Sequence, residues 1–102
     1  MRVISRRALR EFWAKHRAAE APLTAWFRLM QVTDFADFNA IKRTFGAVDY
    51  VAPYTVFDIG GNKYRVITAI HYDRRRVFIR HVFAHREYDR WSVGMRKRRR
   101  SK

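Results

Sequence analysis

The chain has 102 residues, 48% of them hydrophobic and none cysteine, and its formal net charge is +14. Its length is that of one domain, and the absence of cysteine excludes disulfide scaffolds, cysteine-ligated zinc and thiol catalysis. The longest stretch without a charged residue, 50–57, is far shorter than the roughly 20 residues of a membrane span, and the excess of arginine and lysine indicates a polyanionic partner, most commonly a nucleic acid.

The first half of the chain predicts a short strand followed by three helices. The strand ends before Ser5, which is the expected N-cap of the first helix. The second helix is predicted to begin at Ala21 and Pro22, because proline suits the first helical position. A third is predicted over residues 37–45, with Gly46 ending it. The first two helices carry apolar stripes with the spacing of one helical face: Leu9, Phe12, Trp13 and His16, then Leu23, Trp26, Phe27 and Met30.

The second half predicts three strands, over residues 54–59, 63–72 and 77–84, with a two-residue turn at Gly60 and Gly61. We therefore expect one α+β domain over residues 1–92. In it, an N-terminal strand and two to three helices pack on one face of an antiparallel-rich sheet. Residues 93–102 hold six basic and no acidic side chains and are expected to form a flexible basic tail.

The strand register predicts where the basic side chains lie. A turn at residues 60–61 pairs Asp58 with Lys63, and a turn at 74–75 continues the alternation into the last strand. One face then collects apolar residues and should cover the helices: Phe57, Ile59, Tyr64, Val66, Ile70, Tyr72, Val77, Ile79 and Phe83, with His81 among them. The other face collects the polar and basic residues Asp58, Lys63, Arg65, His71, Arg80 and Arg86.

The segment after the last strand, residues 84–89, holds the groups with the clearest chemistry. His85 and Tyr88 can transfer protons, and cleavage of RNA without a metal needs a base, an acid and cations that stabilise charge on phosphorus. Lys63, Arg65 and Arg80 can supply those cations. A histidine at a strand end is more often structural, so the pattern alone leaves both interpretations open. The four histidines show no helical pair with ligand spacing, so neither a metal site nor a cofactor is expected.

Three segments, RVISRRALREFW, VFDIGGNKYRV and VFIRHVFAHREYD, resemble the HigB family of type II toxin–antitoxin systems, which are ribosome-dependent mRNA interferases of the RelE-like fold. The resemblance covers roughly residues 1–90. It implies an endoribonuclease that cuts mRNA in the ribosomal decoding site and is neutralised by a cognate HigA-like antitoxin with a DNA-binding domain. It also implies catalytic roles for Lys63, Arg65, Arg80, His85 and Tyr88, and leaves open which of His85 and Tyr88 is the acid or the base.

The remaining basic residues are candidates for contacts with mRNA or ribosomal RNA, although each is also compatible with a solvated surface. Their predicted positions are a hairpin tip, the segment after the last strand and the tail: Arg74, Arg75, Arg76, Arg86, Arg96 and Lys97.

Two other functions fit the same charge. One is a non-catalytic RNA-binding or ribosome-associated protein, which needs no active site. The other, a DNA-binding domain, is disfavoured because no helix-turn-helix signature with an exposed recognition face is present. The N-terminus lacks the apolar segment of a secretory signal, so a cytoplasmic protein is expected.

Overall fold

The computed structural model describes the backbone of residues 1–100 and the side chains of residues 1–97. In chain order the elements are β1 (Arg2–Ile4), α1 (Arg6–Lys15), a 3-10 turn (Arg17–Ala19), α2 (Glu20–Val32), α3 (Phe38–Phe45), β2 (Val48–Val51), β3 (Tyr54–Ile59), β4 (Tyr64–His71), β5 (Arg76–Ala84) and α4 (His85–Arg100). The predicted α+β class is confirmed. None of the helices described is long and apolar enough to cross a membrane.

The five strands form one sheet in the order β1-β5-β4-β3-β2. β1 runs parallel to β5, and every other neighbouring pair is antiparallel, so the prediction of an antiparallel-rich sheet is confirmed. The edge strand β2 was not predicted. Val48 and Val51 are buried at its two ends, whereas Asp49 and Tyr50 between them are exposed, so the strand lacks an alternating pattern.

The first three helices form the main core with one face of the sheet. Leu9 of α1, Leu23 of α2 and Ile41 of α3 are fully buried there with Phe57 and Val66 of the sheet.

The capping of the helices agrees with part of the prediction. The side chain of Asp37 accepts a hydrogen bond from the Ala40 amide at 2.9 Å at the start of α3, and Gly46, with φ 72°, ends it. Ser5 lies at the N-cap position of α1 but makes no side-chain capping hydrogen bond.

The first hairpin differs from its predicted register by two residues. Ile59 pairs with Tyr64 and Asp58 with Arg65, so the connection is a four-residue loop, 60–63, rather than a two-residue turn. The prediction that Asp58 pairs with Lys63 is therefore wrong, and Lys63 lies in the loop. Because the shift is an even number of residues, each side chain of β3 and β4 stays on its predicted face.

The second hairpin contains a bulge that the sequence did not predict. Thr68 pairs with Ile79 and Ile67 with His81, which leaves Arg80 as an extra residue on β5. Beyond the bulge the alternation of faces reverses. His81 and Phe83, which were predicted on the face that covers the first three helices, therefore lie on the other face with Ile67. That part of the prediction is wrong for both residues.

The second face of the sheet is not an open basic surface, because α4 lies on it. Tyr88 packs with Val51, Val56 and Ile67 in a second buried cluster, against which Tyr54, Phe83, Trp91 and Met95 also pack. The predicted division at residue 92 falls inside this helix, which continues to Arg100. The mobility of residues 93–102 stays a prediction, and Ser101 and Lys102 lie outside the described residues.

Candidate functional site

Arg65 forms the centre of a polar network at the end of the β3–β4 hairpin. It is only 8% exposed, and its Nε is paired with the carboxylate of Asp58, its cross-strand neighbour. Its Nη1 donates to the backbone oxygen of Asn62 at 2.8 Å and to that of Tyr64 at 3.3 Å. The guanidinium group thus holds the loop 60–63 against β3, and much of its hydrogen-bonding capacity is used inside the protein.

Tyr88 lies directly against this network. Its ring centre is 5.0 Å from Cζ of Arg65, and the residue is 9% exposed. Burial raises the pKa of the Tyr88 phenol above its ordinary value of 10.0, and the nearby carboxylates of Asp49 and Asp58 act in the same direction. The phenol is therefore protonated at neutral pH. In that form it can donate a hydrogen bond or a proton, but it cannot act as a base.

His85 begins α4 beside the same loop. Its amide donates to the backbone oxygen of Lys63 at 3.0 Å, which ties the start of the helix to the end of the loop. Its Nε2 lies 3.3 Å from a carboxylate oxygen of Asp89, four residues along the helix, and its side chain is 54% exposed. Glu87 caps this helix start by accepting a hydrogen bond from the Ala84 amide at 3.1 Å. The arrangement presents an exposed imidazole, held by a carboxylate, next to an exposed lysine.

Arg80 lies on the same sheet but at the bulge of β5. It is exposed, and its Cζ is 5.6 Å from the ring centre of Phe78. It lines a groove with residues of α1 and with Glu87, on the side of β5 that no strand covers beyond Phe78 in the described part of the chain. Arg80 is thus close to the first turn of α4, although it does not share the Asp58 network of Arg65.

The hairpin-tip arginines lie far from His85. Arg74, Arg75 and Arg76 are at the end of β4 opposite to the loop 60–63. The first and last of the eight residues of β4 are separated by about 24 Å, at a rise of about 3.4 Å per residue. Arg75 also has a carboxylate partner, Asp34, at 3.7 Å. Contacts between this tip and RNA would therefore be remote from any reaction at His85.

The predicted RNA-contacting residues of α4 are all exposed. Arg86 lies in its first turn, near His85, and Arg96 and Lys97 lie nearly three turns further along. They are compatible with docking to a polyanion. Within residues 1–97, no group of three or more histidine, aspartate or glutamate side chains is arranged to hold a metal ion.

Two pairings in the site, Asp58 with Arg65 and Asp89 with His85, were not predicted from the sequence. Asp58 was predicted to pair with Lys63 rather than with Arg65, because the β3–β4 loop was predicted to be two residues shorter than it is. Asp89 lies four residues from His85, a spacing that brings side chains together only on a helix. Had α4 been predicted from the apolar residues at 88, 91 and 95, that spacing would have revealed the pair.

Comparison with known proteins gives a consistent result. Residues 19–91 match the family model of the HigB toxin, described as the RelE-like toxic component of a toxin–antitoxin system. The chain is 31% identical over 93 residues to the mRNA interferase HigB of Escherichia coli O6:H1, covering 88% of this chain and 90% of the relative. It is 28% identical over 92 residues to the mRNA interferase toxin HigB of E. coli K12, covering 87% and 88%. Because the family model spans well over half of the sequence, the chain belongs to the HigB family of RelE-like toxins.

Proposed function

We propose that the protein is an endoribonuclease that cuts mRNA on the translating ribosome, and that a cognate HigA-like antitoxin neutralises it. The observation that carries the proposal is the family match over residues 19–91, since the similar proteins of E. coli are named mRNA interferases. The net charge of +14 supports a polyanionic substrate. A protein that acts on translated mRNA works in the cytoplasm.

The proposed reaction uses the RNA's own 2′-hydroxyl as the nucleophile. A base removes its proton, the 2′-oxygen attacks the adjacent phosphorus, and an acid protonates the departing 5′-oxygen. The products are a 2′,3′-cyclic phosphate, or the 3′-phosphate formed from it by water, and a 5′-hydroxyl. Each proton transfer contributes about 10²–10⁴-fold when the group is well placed. The balance needs no metal ion.

We assign the proton transfers mainly to His85. Its ring is exposed, and the carboxylate 3.3 Å from Nε2 favours the tautomer that carries a proton on Nε2. Nδ1 is then left to accept a proton, and Asp89 stabilises the resulting imidazolium, as a carboxylate does for histidine in many hydrolases. Lys63, joined to His85 through its backbone oxygen, is the cation proposed to stabilise charge on the phosphate.

Arg65 and Tyr88 are proposed to contribute indirectly, by positioning the loop that carries Lys63. Arg65 is 8% exposed and pairs with Asp58, so its guanidinium is poorly placed to bind an entering phosphate. Tyr88 is buried against it and stays protonated, which leaves packing, hydrogen-bond donation or proton donation as its role and excludes that of the base. Together they fix the loop that ends at Lys63.

The test is cleavage of a defined mRNA by the purified protein in a reconstituted translation reaction, with 5′ ends mapped and end groups identified. Cleavage with 5′-hydroxyl products, abolished by omitting ribosomes or by adding the antitoxin, is expected. His85→Ala should lose cleavage, whereas His71→Ala, which removes an exposed histidine at the far end of β4, should retain it. Intact mRNA at every dose would instead identify a non-catalytic RNA-binding protein.

A further inference from the structure

A groove with no assigned role lies between α1 and the free edge of β5. Its volume is about 310 Å³, and one side is lined by Phe12 and Lys15 of α1 and by His16, which follows the helix. Arg80 of β5 lines the other side, and Glu87 of α4 also contributes to the lining. The volume is at the lower end of the range of small-ligand sites, about 300–1,000 Å³, and is therefore suited to a single nucleotide rather than to a duplex.

The groove is open because the sheet is incomplete at this edge. β1 pairs only with residues 76–78 of β5, so within the described chain no strand pairs with the outer edge of β5, the one away from β4, from Ile79 to Ala84. The bulge at Arg80 lies just beyond the last residue paired with β1. Bulges at sheet edges commonly redirect a side chain next to a functional site.

The groove is lined by two basic side chains, Lys15 and Arg80, and by two acidic ones, Glu11 and Glu87. Glu11 is paired with Arg7 at 2.8 Å, and the carboxylate of Glu87 accepts the Ala84 amide, so both acidic residues have partners. Neither Lys15 nor Arg80 lies within ion-pair distance of a carboxylate in the part of the chain that the structure describes. A phosphate that enters the groove would meet two cations without having to displace a carboxylate.

The groove also offers a flat aromatic surface. The ring of His16 stacks on that of Phe12 with centres 4.3 Å apart and planes 19° apart, and His16 is half-buried. Tyr64 supports both rings edge-on, at 5.6 Å from Phe12 and 6.3 Å from His16. Because His16 lines the groove and is only half-buried, its ring is accessible to a nucleic-acid base that enters, and bases stack readily on aromatic side chains.

We propose that this groove binds one nucleotide of the single-stranded RNA next to the cleaved phosphate. The base stacks at His16, and Lys15 and Arg80 hold the backbone phosphate. Glu87, which lines the groove, lies two residues from His85, so the groove adjoins the first turn of α4. This inference rests on the proposed function for the identity of the strand, and it makes α1 part of the RNA-binding surface.

The test measures binding rather than cleavage, so it does not depend on the reaction. Fluorescence anisotropy with a single-stranded 2′-O-methyl RNA hexanucleotide, which cannot be cleaved, gives affinity at several salt concentrations. His16→Ala should weaken binding about 5- to 150-fold. Lys15→Ala should reduce the slope of log affinity against log salt by about 0.7, the effect of one phosphate contact. Arg43→Ala, which removes the same charge on α3 beside β2 at the opposite edge of the sheet, should leave the slope unchanged.

His16→Phe distinguishes stacking from loss of structure. It keeps a flat ring on Phe12 and should retain most of the affinity that His16→Ala loses. The inference is overturned if His16→Ala and Lys15→Ala bind RNA as the wild type does, or if they weaken binding of the antitoxin alone, since the groove would then be a protein-binding surface. RNA binding that depends on these residues in a protein that never cleaves mRNA would overturn the proposed function and leave the groove's role intact.

Discussion

The guanidinium of Arg65 lies over the ring of Tyr88, with Cζ 5.0 Å from the ring centre, while its Nε is paired with Asp58. One side chain of β4 thus contacts both the neighbouring strand and the helix that covers the sheet. Its bond to the backbone oxygen of Asn62 extends the link to the loop that carries Lys63. The exposed groups proposed for catalysis therefore depend for their positions on a buried arginine.

Arg65→Ala should destabilise the protein substantially. The substitution leaves the carboxylate of Asp58 and the backbone oxygen of Asn62 without their partner, and it removes the contact with Tyr88. Charged hydrogen bonds and part-buried ion pairs of this kind contribute about 2–3 kcal/mol to the free energy of unfolding. Urea denaturation measures the change. Arg80→Ala removes an exposed arginine from the same sheet and should change stability by less than about 0.5 kcal/mol. Equal effects of the two substitutions on the free energy of unfolding would show that the contacts of Arg65 do not stabilise the fold.

Asp89→Asn should lower the rate of mRNA cleavage, and His85→Ala should lower it further. In the proposed mechanism the carboxylate of Asp89, 3.3 Å from Nε2, orients the imidazole, and the imidazole transfers the proton. The loss expected for His85→Ala is about 10²–10⁴-fold. Single-turnover cleavage of ribosome-bound mRNA measures both. Asp73→Asn, at the exposed hairpin tip about 24 Å away, is the matched control and should keep full activity. If Asp89→Asn equals the control, the pair has no role in catalysis.

The comparison of the two hairpins shows what a sequence pattern can and cannot predict. The alternation of β3 and β4 correctly separates Phe57 and Val66 from Asp58 and Arg65, although the loop is two residues longer than predicted. A two-residue error preserves the faces, since side chains alternate with a period of two. The one-residue bulge at Arg80 does not preserve them. A bulge depends on cross-strand pairing, which the local sequence of β5 does not encode.

The C-terminal helix was missed for a different reason. Its apolar residues, Tyr88, Trp91 and Met95, occupy a narrow stripe, and the surrounding charge suggests a solvated tail. They become a packing surface only because Val51, Val56 and Ile67 form an apolar patch on the second face of the sheet. Helix α4 is thus specified by a tertiary contact. The catalytic candidates His85 and Tyr88 lie in the first turn of α4, and their geometry was not predictable without the helix.

Arg80→Ala should raise the pKa of His81. Partial burial is the main cause that lowers the pKa of His81 below 6.5, and the positive charge of Arg80 is the second. The histidine stacks on Phe83 at 5.0 Å and lies 6.1 Å from Trp91, so some burial remains in the variant. The pKa should therefore move toward 6.5 without reaching it. An NMR titration of the imidazole protons measures it, with Arg43→Ala as the control.

The same shift predicts how stability depends on pH. Because the folded state lowers the pKa of His81, the unfolded chain binds the proton more readily. The contribution of His81 to stability is present above pH 6.5 and is lost as the pH falls through the lower, folded-state value. An unchanged His81 pKa in Arg80→Ala would place the two side chains apart in solution.

Gly60→Ala should destabilise the β3–β4 loop more than Gly61→Ala. Both glycines have positive φ, 64° and 63°, so either substitution incurs the backbone penalty of about 1–2 kcal/mol. A Cβ at Gly60 would lie 3.2 Å from Cδ2 of Tyr64, whereas a Cβ at Gly61 would have no neighbour within 4 Å. Tyr64 is held by Phe12 and His16 and cannot move away freely. Urea denaturation compares the two variants, and an equal loss would mean that the Tyr64 contact is not maintained.

Gly94→Ala should stabilise the protein by strengthening the second half of α4. Gly94 lies inside the helix and is exposed, and a Cβ added there would have no neighbour within 4 Å, so alanine fits without strain. Alanine favours an exposed helix interior over glycine by about 0.8–1 kcal/mol, which corresponds to a rise of about 3–8 °C in Tm for a domain of this size. This gain requires residue 94 to be helical in the folded state. Met95, which packs against the second buried cluster, lies in the same turn of the helix. Gly94→Pro, which removes an amide and obstructs the preceding turn, should lower Tm and loosen the packing of Trp91. If neither substitution changes Tm, residues 93–100 behave as the flexible tail that the charge pattern predicts, and the second face of the sheet is covered by the first two turns of α4 alone.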